Sequence, residues 1–502
     1  MKSLLLSISI AFLIISCSSA KPIPVAPQVE GTQSDDAKPV PKPQADVTTW
    51  RKMPPEVGPA PEVVIPVFEQ TQLPNGLTVM VVRRDSLPLV DLSLVLVSGS
   101  ASEEIQTQGI ADLTYEMMLE GAGDRDGVEL AEAFADLGSQ IGVLTTEDGA
   151  AFETTLLKKN LNAGLDLLAE IVMQPTFKKK DFLRKQKERM ADLQSLMGNP
   201  KYLSTIATPK RIYGDSHPYA HPVMGMPKDV SAFKNRQLKA FYQTHVSPKN
   251  AALIFAGDIT LDEAVAASTA RLGKWKSSAG GKKTSAQNSN ETTRRPFSLA
   301  IVAKPGMNQT IISAGAATFP AGHPDEWALR VAVDAFGGMF GSRLNMNLRE
   351  EKGYTYGARG HLDTMFLDGA AVISTSVQAD VTGAALTEII AELDGLKTRP
   401  ITEAEFHAAK ENVLKSVSGW FESVSGLGHA AQSIFERHLP VTRYTDMVAA
   451  YEKLTLNDVR RAAATYLERS VMQVVLVGDP SVIKEQLAPL SLGTPEVLEL
   501  GL

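Results

Sequence analysis

Two hydrophobic rhythms alternate along the chain. Residues 77–82 and 89–97 are short runs rich in Leu and Val, parted by the polar turn Arg83-Arg84-Asp85. Such runs predict neighbouring strands. Residues 161–173 instead place Leu161, Leu165, Leu168, Ile171 and Val172 at helical spacing, with Pro175 just beyond. That spacing predicts an amphipathic helix and its stop. Strands adjacent in sequence, with helices inserted between pairs, favour an α+β body over a doubly wound parallel sheet. The pattern also recurs. Phe241-Tyr242 precede the apolar run 251–256, closed by Gly257-Asp258, and Tyr466-Leu467 precede the run 472–477, closed by Gly478-Asp479. The same signature near the end of two similar-sized bodies predicts a duplicated unit.

Two stretches interrupt these rhythms. Residues 277–296 are rich in Gly, Ser, Lys, Thr and Asn without an apolar period and read as an interdomain linker. Residues 17–65 are proline-rich around Pro39, Pro41, Pro43, Pro54 and Pro59, a composition that gives an extended, semi-rigid tether. Ahead of the tether, Lys2 is followed by the apolar run 4–15. It is too short for a helix across a bilayer of about 30 Å and suits a signal-peptide core. Its end, Leu13-Ile14-Ile15-Ser16-Cys17, resembles a bacterial lipobox. Cleavage before Cys17 and acylation of that cysteine are therefore expected; the alternative is a secreted protein with an incidental cysteine. Ser18, rather than Asp, favours the outer membrane, facing the periplasm. The expected division is 1–16 signal peptide, 17–65 tether, 66–276 first lobe, 277–296 linker, 297–490 second lobe and 491–502 tail.

Composition narrows the class. With 502 residues, 44% hydrophobic and 21% charged, the chain is globular and long enough for more than one core. A net charge of −7 and no basic block exclude a phosphate-tracking, nucleic-acid-binding role. Cys17 is the sole cysteine, so the body relies on packed cores and not on disulfides.

Several segments then converge. Leu73-Pro-Asn-Gly-Leu-Thr78, Gly109-Ile-Ala111, Gln174-Pro-Thr-Phe177, His217-Pro-Tyr219 and the 248–258 strand resemble the first lobe of insulinase/pitrilysin-type metallopeptidases. Gly341-Ser-Arg-Leu-Asn345 and Leu348-Arg-Glu-Glu-Lys-Gly-Tyr-Thr-Tyr356 resemble the second lobe more closely still. The resemblance runs from about residue 66 to 490, and its nearest flavour is the mitochondrial-processing-peptidase-like subgroup. It implies two homologous α+β lobes, each of duplicated α/β sandwich units with mainly antiparallel sheets covered by helices. The lobes would close as a clamshell around an unfolded peptide.

Active members carry H-x-x-E-H on the helix after Gly-Ile-Ala. Its two His bind zinc, its Glu deprotonates the bound water, and a carboxylate from a later helix completes the ligand set. Here the window reads Asp112-Leu113-Thr114-Tyr115-Glu116. Asp112 and Glu116 stand at the His positions and Tyr115 at that of the base, with Asp192 near the third ligand. A phenol with an ordinary pKa of about 10 is a poor base at neutral pH. The two prolines beside His217 and His221 argue for loop residues rather than ligands, and the other six His are scattered. Asp112, Glu116 and Asp192 could hold a hard cation such as Ca²⁺ or Mg²⁺, or simply bond to neighbours; the latter is the expectation, with no metal or cofactor bound by this chain.

The resemblance also implies an Arg/Tyr pair reaching from the second lobe toward a zinc site. It maps onto Arg349 and Tyr356. The alternative pairs Arg349 with Glu350 or Glu351 at the surface and makes Tyr354 and Tyr356 ordinary strand residues. Gly337, Gly338 and Gly341 either loosen the backbone near a substrate groove or make turns, and Gln309 has no assigned chemistry. The expected function is a non-catalytic, substrate-binding subunit of a heteromeric zinc peptidase. Its partner would be a homologous chain carrying H-x-x-E-H and Zn²⁺, its substrate an unfolded peptide, and its lipid anchor would hold it at a membrane. The alternatives are a scaffold protein with a peptidase-like fold, or a self-sufficient peptidase with an atypical site.

Overall fold

The computed structural model describes residues 64–276 and 294–500. The expected signal peptide, Cys17, nearly all of the tether and most of the linker lie outside the described residues. In the first lobe, β1 (Phe68–Gln72), β2 (Thr78–Arg83), β3 (Leu89–Leu96), β4 (Gly142–Thr145), β5 (Ala150–Leu157) and β6 (Ala251–Gly257) form one sheet. Its order is β1-β2-β6-β3-β5-β4. In the second lobe, β7 (Ser298–Ala303), β8 (Gln309–Ala317), β9 (Thr355–Thr364), β10 (Gly369–Gln378), β11 (Gln473–Gly478) and β12 (Glu496–Leu498) are ordered β12-β7-β11-β8-β10-β9.

The two orders superimpose strand for strand. In each, the lobe's late apolar run (β6 or β11) pairs parallel with an early strand and antiparallel with the next. They differ at one edge, where β1 runs antiparallel to β2 but β12 parallel to β7. The duplication read from the sequence therefore lies between the lobes. Each lobe holds one six-stranded sheet and not a pair of sandwich units. The recurring closing glycine also has a physical cause at Gly257. Its φ is +139°, and a Cβ there would lie 2.1 Å from the Leu89 carbonyl oxygen.

The inner strands of the first sheet are buried on both faces, and their alternation assigns each face to a different core. Val79, Val81, Leu253 and Phe255 share a core with Leu165 and Leu168 of the lobe's own helix. Met80, Val82 and Ile254 share one with Leu427, Ala431 and Ile434, which belong to the second lobe. The reverse also holds: Leu203, Ile206 and Ala207 of the first lobe pack with Ile311, Val475 and Val477 of the second sheet. The helices concerned are α1 (Ile110–Met118), α2 (Leu161–Met173), α3 (Lys179–Met197), α4 (Pro200–Tyr213), α5 (Glu326–Val333), α6 (Glu403–Trp420) and α7 (Val424–Glu436). Each lobe thus lends one helix to the other, α4 in one direction and α7 in the other. Burying each such Leu or Ile contributes about 1.5–3 kcal/mol, so the exchange ties the lobes together.

Polar contacts seal the same seam. Ser204 and Ser313 hydroxyls lie 2.8 Å apart in the buried α4–β8 contact. The turn between β4 and β5 meets the turn between β9 and β10. There the Phe366 amide donates to Asp148 Oδ2 (2.9 Å) and the Leu367 amide to the Tyr219 hydroxyl (2.8 Å), which itself bonds Asp148. Among the described residues no helix is long and apolar enough to cross a membrane.

Candidate functional site

Helix α1 starts where the chain must turn sharply. Gly109 has φ +90°, and a Cβ there would lie 2.6 Å from the Met224 carbonyl oxygen. The Glu103 carboxylate caps the helix, accepting from the Gly109 and Ala111 amides at 2.9 and 2.8 Å, which suits a negative group at a helix N-terminus. Burial pushes the Glu103 carboxyl well above its usual range, against the pull of those two amides.

Asp112 and Glu116 are one turn apart on α1 and face α3, as i and i+4 positions must. Between them lies the guanidinium of Arg189. Its Nη1 is 2.6 Å from Asp112 Oδ2 and its Nη2 is 2.7 Å from Glu116 Oε1. The Arg189 side chain is only 3% exposed. Lys185, one turn earlier on α3, reaches Glu116 Oε2 at 3.3 Å. Burial disfavours the charged guanidinium, but the pull of Asp112 and Glu116 outweighs it and raises the Arg189 pKa above its ordinary value. The planar fork of an arginine suits two carboxylates held side by side.

The third position on the facing helix therefore belongs to Arg189 and not to Asp192. Asp192 lies three residues further along α3 and is exposed. The signal that identifies Arg189 was present in the sequence. Phe182, Arg189, Leu193 and Met197 are the buried residues of α3, an apolar helical stripe interrupted by one arginine. A charge inside such a stripe needs a buried partner, and two carboxylates supply it.

Tyr115 does not join this cluster. It is fully buried, its hydroxyl donates to the Ser98 carbonyl at 2.7 Å and lies 2.8 Å from the Ser98 hydroxyl. Its ring meets Phe152 and Phe241 edge-on, each at 6.0 Å between centroids. Burial pushes the phenol far above its usual pKa, so it stays protonated as a core residue. His217 accepts from the Tyr219 amide at 3.1 Å and stacks on Tyr213, while His221 pairs with Gln108 at 2.8 Å. Both are loop histidines, as their prolines predict. No group of three His, Cys, Asp or Glu able to hold a metal ion occurs among the described residues.

The second-lobe motif sits on unusual backbone. Residues Asp334–Gly338 and Met346–Glu351 are π-helical turns, a rare conformation concentrated at functional sites. Arg349 lies in the second. Its guanidinium is 4.4 Å from the centre of the Phe340 ring and 3.3 Å from Glu350 Oε1, so the contact with Glu350 exists beside an aromatic one. Tyr356 is 97% exposed on edge strand β9, where the register slips between Thr355 and Ala358. Gly337 marks a close helix–strand approach: a Cβ there would lie 3.2 Å from the Gly360 nitrogen, whereas Gly341 faces open space.

Tyr356 opens onto a cleft of about 800 Å³, bounded by Lys201 and Thr205 of α4 and by Gln309, Arg359 and Ser374 of the second sheet. A second cleft of about 970 Å³ occupies the corresponding place on the first sheet, where Asp91, Ser139 and Glu153 face Ser425 and His429 of α7. The clefts follow from the helix exchange, since each borrowed helix covers only part of the opposite sheet.

Residues 79–212 match the family described as insulinase (peptidase family M16), and residues 232–413 the peptidase M16 inactive domain. Together these cover more than half of the chain, which belongs to the peptidase M16, insulinase-like family. An uncharacterized zinc protease of Mycobacterium tuberculosis (strain ATCC 25618 / H37Rv) is 23% identical over 411 residues, 81% of this chain and 92% of the relative. The crystal structure of a peptidase M16 inactive domain from Pseudomonas fluorescens aligns with TM-score 0.75 at 24% identity, covering 86% of this chain and 100% of that one. A protease from Helicobacter pylori aligns with TM-score 0.76 at 20% identity, covering 83% and 100%.

Proposed function

We propose that this chain is the non-catalytic, substrate-binding subunit of a two-chain zinc peptidase of the M16 family acting on unfolded peptides. The observation that carries this reading is the Arg189 guanidinium, bonded to Asp112 and Glu116 at 2.6 and 2.7 Å. Where an active site needs two imidazoles, a carboxylate and a divalent cation, this one has two carboxylates and a cationic side chain that cannot act as a ligand. The residues do not fit zinc. The positive charge is supplied from within the chain, and the base position is a buried, hydrogen-bonded tyrosine.

The second lobe retains chemistry a peptide can use. Arg349 offers several N–H donors to backbone carbonyls, and the exposed Tyr356 hydroxyl can donate to an oxyanion. In this reading a homologous partner carries H-x-x-E-H with its Zn²⁺, and this chain presents Arg349 and Tyr356 to it. The lipobox-like Cys17 and the tether hold the pair at the outer membrane on the periplasmic side.

Metal analysis of the isolated full-length chain tests the reading. Purified alone, it is expected to carry no stoichiometric zinc and to leave an unfolded peptide intact. Stoichiometric zinc together with chelator-sensitive cleavage would overturn it.

A further inference from the structure

Three pieces of backbone meet at one side chain that the peptide-handling chemistry does not itself use. Asn345 is 6% exposed and lies between the two π-helical turns. Its Oδ1 accepts from the Ala358 amide at 2.8 Å, and its Nδ2 donates to the Ala358 carbonyl at 2.9 Å. This is the pairing a neighbouring strand would make, supplied by an amide side chain at the sheet edge. The same Nδ2 also lies 3.1 Å from the Met339 carbonyl and 3.2 Å from the Ser342 hydroxyl. One buried amide thereby joins the loop carrying Phe340, the turn carrying Arg349 and the strand carrying Tyr356.

The join falls where it is most needed. The β9–β10 register slips between Thr355 and Ala358, so Tyr356 lacks a regular cross-strand partner to fix it, and an extra residue in a strand re-aims its side chain. Thr355 secures the inner side, its Oγ1 donating to the Ser376 carbonyl at 2.8 Å. Asn345 secures the outer side at Ala358. On the loop side, the Phe340 ring 4.4 Å from the guanidinium limits where Arg349 can point. Slack in the Asn345 bonds would therefore reach both Tyr356 and, through Phe340, Arg349.

We infer that Asn345 is a positioning residue, which sets the separation of Arg349 and Tyr356 so that both reach one extended peptide. The inference rests on the reading of that pair as substrate-contacting. A misplacement of about 1 Å can cost on the order of 10²-fold where two groups must act on one substrate. Removing the Asn345 bonds is therefore expected to weaken peptide capture as much as removing Arg349 does.

The test is the anisotropy of a fluorescein-labelled unfolded peptide titrated with the full-length chain. It compares the parent with Asn345→Leu, Asn345→Asp, Arg349→Ala and the double variant Asn345→Asp/Arg349→Ala. Asn345→Asp is nearly isosteric and keeps the acceptor for the Ala358 amide, so it reports even where Asn345→Leu does not fold. Each single variant is expected to raise Kd by about tenfold, and the double variant to add little to Arg349→Ala, because residues that act as one unit are not additive. Leu168→Ala, a core change far from the motif, destabilises the fold and is expected to leave Kd unchanged. Amide exchange at Ala358 is expected to accelerate in Asn345→Leu, which removes the acceptor of that amide. If Arg349→Ala weakens binding and Asn345→Asp does not, or if their effects simply add, the positioning role is overturned and the reading of the pair stands. If Arg349→Ala binds like the parent, that reading falls and the inference falls with it.

Discussion

Arg189 supports two carboxylates at once, so its truncation leaves Asp112 and Glu116 facing each other with Lys185 alone against Glu116. Breaking a buried pair by removing one partner costs about 3–5 kcal/mol. Arg189→Ala is expected to lower the urea-unfolding free energy by that amount at neutral pH, and by less in acid, where the orphaned carboxyls protonate. Replacing all three together, as Asp112→Asn, Glu116→Gln and Arg189→Met, should restore most of the loss. An equal loss at every pH would show that packing, and not charge, holds α1 to α3. At this scale the sequence exposed half of the cluster. Asp112 and Glu116 could be read from the motif window, because residues on one helix fix their own spacing. The apolar stripe of α3 marks Arg189 as a buried charge, but its meeting with Asp112 and Glu116 depends on how the two helices pack. Asp192, the nearer carboxylate by chemistry, falls on the exposed side.

Helices α4 and α7 show a similar division between what periodicity conveys and what it omits. The 3.6-residue rhythm tells which face of a helix is apolar, not which sheet will cover it, and both of these helices cover the sheet of the opposite lobe. The lobe repeat was legible because the apolar run and its closing Gly-Asp recur, whereas the helix exchange leaves no mark in one lobe read alone. Leu427 of α7 is 2% exposed and Leu203 of α4 is also 2% exposed. Either changed to Ala is expected to cost about 2–5 kcal/mol, and because each sits on a helix of one lobe packed against the other lobe's sheet, both lobes should unfold in one transition. Two separated transitions, resolved by calorimetry, would contradict a shared core.

Across the whole molecule, the lobe seam carries a titratable acid. Glu436, at the end of α7, is buried against the first lobe's β4–β5 turn. Gln432 donates to it at 3.0 Å, and a Cβ at Gly149 would lie 2.6 Å from its Oε1. Burial, aided by Asp148 and Glu153 and opposed by Gln432 and Arg437, pushes its carboxyl up to about 7 from 4.5. A carboxyl raised on folding binds its proton more tightly in the folded state. Its contribution is whole below pH 4.5 and is lost as pH rises through the folded value. The loss amounts to roughly 3 kcal/mol at most. Glu436→Gln is expected to remove that part of the pH dependence and to be more stable than the parent at about pH 8. A parent and variant with parallel stability–pH curves would show that Glu436 ionises normally.

In the proposed division of labour, this chain supplies substrate-contacting groups to a zinc site in a homologous partner. The most direct measurement is peptide turnover by the co-purified pair, with Arg349→Ala or Tyr356→Phe introduced into this chain alone. Losing one donor to a developing oxyanion costs on the order of 10²–10³-fold in turnover. A fall of that size is expected for Tyr356→Phe and a marked fall for Arg349→Ala, with the pair and its zinc content intact. Undiminished turnover in both variants would contradict it and leave this chain the role of a scaffold.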